Sequence, residues 1–163
     1  MPNANIDVYL NNHLAGSVVA LELMDHLEKS HAGTAIKDFL VNLRADILAD
    51  REELELLMGR LKISPNPRRK AMAWVTEKLA EIKLSLDDPA GGPLHLLEAL
   101  EAIAIGIDGK RALWRALAGA RASGLTEPDY RRLGKRAEDQ RNRIETARLE
   151  AAKIALRDDP HVD

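Results

Sequence analysis

Proline and glycine cut this chain into a few long stretches, and that spacing limits the fold more than any other feature. Proline ends helices by removing a donor and clashing with the preceding turn, glycine by its backbone freedom. Between the breaks lie stretches at about 6–30, 34–61, 94–122 and 126–156, separated by Gly33, a 62–92 connection and Ser123-Gly124. Over half of the residues are Ala, Glu, Lys, Leu or Arg, which lose little on entering a helix. β-branched and aromatic residues are too few for an extensive sheet. At 1.5 Å per residue the stretches make rods of roughly 37 to 45 Å. Rods of similar length pack most simply as a four-helix bundle, so residues 1–163 are expected to form one all-α domain.

The connections bear on topology. The first and last turns are short and join antiparallel neighbours. The middle connection has room for a further helix, expected at Arg68 to Leu84 between Ser64-Pro65-Asn66-Pro67 and the break Asp87 to Pro93. It is long enough to cross the bundle and leave the second and third helices parallel. Thr34 is expected to N-cap the second helix with Asp38 in its first turn, the Pro-Asn-Pro segment to end it, and Thr126 with Pro128 to open the last.

Core stripes follow from spacings of four and three. On the second helix Ile36, Leu40, Leu43, Ile47, Asp50, Leu54, Leu57 and Leu61 fall on one line, with a single acid among them. The last helix repeats the form through Tyr130, Leu133, Ala137, Gln140, Ile144, Ala147, Ala151 and Ile154, with Gln140 as its polar member. The third carries Leu96, Leu100, Ile103 and Ile107 beside Leu97, Glu101, Ala104 and Asp108. The first is apolar around much of its circumference, which calls for deep burial or for a second copy as a homodimer partner.

A buried carboxylate is costly unless it is paired, protonated or bound to metal. Asp50 therefore needs either a partner from another helix, such as an Arg or Gln140, or an ion; Glu101 poses the same choice. Glu22 and His26 stand one turn apart and could touch one ion, though Lys29 shares their face. Glu28 and His31, and His95 and Glu98, have similar spacings near helix ends, and His13 sits on the most apolar line of the first helix. Trp74 and Trp114 are expected to pack the connection and a helix end.

Other chemistry is set aside. With no cysteine there is no disulfide, thiol catalysis or thiolate metal ligand. No phosphate loop, Gly-x-Ser-x-Gly elbow or His-Glu-x-x-His occurs. The formal charge of −2 and the lack of aromatics among the basic runs argue against nucleic acid. The start is not a signal peptide and no stretch is long enough for a membrane span, so a cytoplasmic protein is expected.

Two helical hairpins joined by a long connection, with acids on inward lines, resemble the ferritin-like superfamily. Tyr9 to Glu22 is similar to the first helix of small bacterial ferritin-like proteins, and Glu138 to Glu145 to the last. In the iron-binding members two helices each supply a Glu and two others a Glu-x-x-His. Glu22 and Glu101 match the single acids. At the paired positions this chain has Asp46-x-x-Ala49 or Asp50-x-x-Glu53, and Glu138-x-x-Arg141, so both histidines are missing. The resemblance thus implies a bundle with a degenerate metal motif, a non-catalytic scaffold or interaction protein with no cofactor. The alternative is an oxidoreductase or storage protein holding iron or manganese at an atypical site of Glu22, Asp50 and Glu101.

Overall fold

Each long stretch folds as one unbroken α-helix. In the computed structural model, which describes residues 3–66, 77, 80 and 92–158, these are α1 (Ala4–Ser30), α2 (Lys37–Arg60), α3 (Gly92–Gly119) and α4 (Glu127–Ala155). No strand occurs among the described residues. The helix expected at Arg68 to Leu84, with Trp74, lies outside them.

Helix ends correct several expectations. Thr34 does not cap α2: its hydroxyl donates to the His31 carbonyl at 2.9 Å, and α2 begins after Ile36 with no side-chain cap. Nor do the prolines stop α2. The chain leaves the helix at Lys62, whose φ of 57° is left-handed, while Ile63 N–H reaches back to the Met58 carbonyl at 2.9 Å. Arg121 ends α3 the same way, at φ 49°, with Ala122 N–H on the Leu117 carbonyl at 3.0 Å. Gly124 then carries a φ of +107°, and a Cβ there would lie 2.6 Å from Leu57 Cδ1, so only glycine fits the turn. The expected start of α4 is found: Thr126 and Asp129 form a reciprocal capping box, with proline in the first turn.

Ion pairs give the helix directions. Asp25 meets Arg44, and at the other end of α1 Asn11 accepts from Asn66 N–H at 2.6 Å, so α1 and α2 are antiparallel. Asp46, Asp50 and Glu53 on α2 meet Arg143, Arg136 and Arg132 on α4, in descending order. Glu101 and Asp108 on α3 meet Arg148 and Arg141 in the same reversed sense. Each of α2 and α3 therefore runs antiparallel to α4.

The apolar core has two parts. One is built on Leu21, Met24, Leu40, Ile47, Ile103, Ile107 and Ile144, the other on Leu10, Leu14, Leu54, Leu113, Trp114, Tyr130 and Leu133. Fully burying a leucine contributes about 2 kcal/mol, so these clusters supply most of the drive to fold. The expected stripes of α2 and α4 are largely buried, but Ile154 is 70% exposed, past Ala151, the last buried residue of α4. Among the described residues no helix is long and apolar enough to cross a membrane.

Candidate functional site

The boundary between the two apolar clusters is polar. Asp50, in the middle of α2, falls between Ile47 of one cluster and Leu54 of the other and is 4% exposed. Three side chains meet its carboxylate. The Arg136 Nε donates to Oδ1 at 2.6 Å, the Gln140 Nε2 donates to Oδ2 at 2.8 Å, and the Lys110 ammonium donates to Oδ2. Lys110 also donates to Gln140 Oε1, so the amide is satisfied on both sides. Glu53 stands 4.0 Å from Arg136 and completes a cluster of two acids and two bases. Burial pulls the Lys110 ammonium below the ordinary lysine range, against the opposing pull of Asp50.

The cluster follows from helical register. On α2 the stripe is broken at Asp50 and on α4 at Gln140. On α3 the spacing that gives Leu100, Ile103 and Ile107 continues to Lys110, Trp114 and Leu117, so Lys110 holds a core position. On α1 the line Leu10, Leu14, Leu21 and Met24 is broken at Ser17, whose hydroxyl donates to the Leu14 carbonyl at 2.6 Å. Each helix thus carries a polar residue on its core line at this level. Reading the α3 stripe only as far as Ile107 misses Lys110, and Arg136 lies just off the α4 stripe.

A cavity of about 470 Å³ adjoins this layer, between α1 and α3 with α2 behind it. Asp50 and Lys110 line one part, and Tyr9, His13, Gly16 and Gly106 another. His13 meets Tyr9 edge-on at 4.8 Å between ring centres. Burial lowers the His13 imidazole to about 4, so the ring is neutral near pH 7. The indole N–H of Trp114, another lining residue, is buried without an acceptor.

The sequence candidates end up in different places. Asp50 is buried, while Glu22 is exposed on α1. Glu101 is exposed too and accepts from Arg148 at 3.1 Å. Arg148 in turn grips Glu145, which Arg141 also holds, and these guanidiniums lower the Glu145 carboxyl to about 2. His26 and His31 lie at the α1 end; burial and then His26 lower the His31 imidazole. His95 is half-buried beside an exposed Glu98. Among the described residues no three His, Asp or Glu are grouped as a metal ion would need. No protein-family model, curated protein or solved structure matches the chain.

Proposed function

We propose that the chain is a ferritin-like bundle in which protein cations stand where a metal would sit, and that it acts as a non-catalytic scaffold or interaction protein. The topology part of this reading is supported by the ion-pair order, which sets α2 and α3 both antiparallel to α4 and so parallel to each other, as in two hairpins joined by a crossover. One observation carries the rest, the engagement of both Asp50 oxygens by Lys110, Arg136 and Gln140. A divalent ion at Asp50 would have to displace an ammonium and a guanidinium already paired with its carboxylate. It would then lack the two histidines of the Glu-x-x-His pattern. Di-iron chemistry therefore does not fit these residues, and the network is read as the element that fixes helix register.

Interaction through α1 belongs to the same reading. Val8 is 38% exposed, and Val18 and Val19 are half-buried on a helix that is apolar over much of its surface. A homodimer would cover them. Sedimentation should show a dimer in the micromolar range, and a monomer at high micromolar concentration would remove this part of the proposal while leaving the fold intact.

The test of the main reading is metal content together with thermal stability. Protein purified without chelator should hold iron, manganese and zinc well below one per chain, and adding them should leave Tm nearly unchanged. A ligand at a hundredfold excess over its Kd stabilises by about 2.7 kcal/mol. A stoichiometric metal with a gain of that size, lost in Asp50→Asn and Glu101→Gln, would overturn it.

A further inference from the structure

We infer that the cavity between α1 and α3 is a binding site for one uncharged, mainly apolar small molecule of two or three fused rings. Size comes first. Interhelical cavities of ~300 to 1,000 Å³ are common seats for small molecules. A cavity of ~150 Å³ holds one benzene. At about 470 Å³ this one has room for roughly three times that volume.

Charge comes second. The charged side chains that line the cavity are Asp50, Arg51, Asp108 and Lys110, two acids and two bases. Each is already matched: Asp50 with Lys110, Arg51 with Glu55 at 3.1 Å, Asp108 with Arg141 at 3.0 Å. A charged guest would shed its water and meet no free counter-charge, so a neutral one is favoured. Much of the remaining lining is apolar or glycine, including Ile103, Ile105 and Ala20.

The third observation is the pair of glycines on its walls. Gly16 and Gly106 line the cavity from opposite helices, and a Cβ built on either meets nothing within 4 Å. Larger side chains there would occupy the space of the guest without a clash.

The probe is 6-propionyl-2-(dimethylamino)naphthalene, a neutral two-ring ketone whose emission shifts to the blue in apolar surroundings. Titrated into the full chain it should saturate at one molecule per chain. Gly16→Leu and Gly106→Leu should each weaken binding at least tenfold while keeping the helical circular dichroism and without lowering Tm. The anionic probe 1-anilinonaphthalene-8-sulfonate should bind at least tenfold more weakly than the ketone. Absence of saturable binding, equal binding of the two probes, or full affinity in both leucine variants would overturn the site.

Discussion

Toward α4, α3 turns Glu101, Asp108 and Lys110, and each meets a partner on the facing helix: Arg148, Arg141 and Gln140. Toward α1 it turns Ala102, Gly106 and Gly109, across from Gly16, Ser17 and Ala20, and a cavity of about 470 Å³ remains between them. Small residues line that space on both helices. The polar ties of α1 to α2 and the segment after it run through Asp25 with Arg44 and Asn11 with Ser64 and Asn66. Against α3 it packs through the apolar side chains of the two clusters. Directional polar contacts fix a seam, and small side chains alone do not close one.

The largest effect is expected at the fixed seam. Asp50→Asn keeps the shape but takes the carboxylate from Lys110 and leaves Arg136 only Glu53 at 4.0 Å, so it should cost about 3 kcal/mol in urea unfolding. A cost below about 1 kcal/mol would mean that water already screens the cluster and that the two seams differ less than their geometry implies.

The next effect belongs to the open seam and depends on pH. An unfolded histidine takes a proton below about 6.5, while folded His13 stays neutral down to about 4. Between those values the unfolded chain binds more protons, so stability falls as the pH drops from about 6.5 to 4. The ring borders a cavity open to water, so the loss should be about 2 kcal/mol rather than the full value of the shift. Carboxylates titrate in the same range, so unfolding is compared with His13→Leu, which should lose this component alone. An identical pH dependence in the two proteins would contradict it.

The smallest effect has the opposite sign. Gly16→Ala and Gly106→Ala place a methyl in open space within a helix, and each should stabilise by about 1 kcal/mol. A loss of stability in either would show that the helices close upon the cavity in solution.

Much of this arrangement is legible in the chain. The four-and-three spacing through Leu40, Leu43, Ile47, Leu54 and Leu57 locates the buried face of α2, and Asp50 stands out because it breaks that line. Gln140 does the same on α4, and the expectation that Asp50 would find Gln140 or an arginine is met by both. Lys110 obeys the same register, but a lysine with a long flexible stem reads as solvated until its neighbours are known. The ends of α2 and α3 were less legible, because Lys62 and Arg121 take a left-handed turn without a glycine to signal it. Glu101 looks inward by its spacing, yet it is exposed and meets Arg148 there. The cavity depends on the separation of two helices, which residue spacing along either one does not encode.

The central claim, that Asp50 and Lys110 form one buried unit at the bundle centre, is tested most directly by a double-mutant cycle in urea. Asp50→Asn, Lys110→Met and the double variant are unfolded alongside the wild type without added metal. Residues joined in one buried pair couple by about 1 to 3 kcal/mol, so the double variant should lose that much less than the sum of the singles. Simple additivity, to within about 0.5 kcal/mol, would contradict the account.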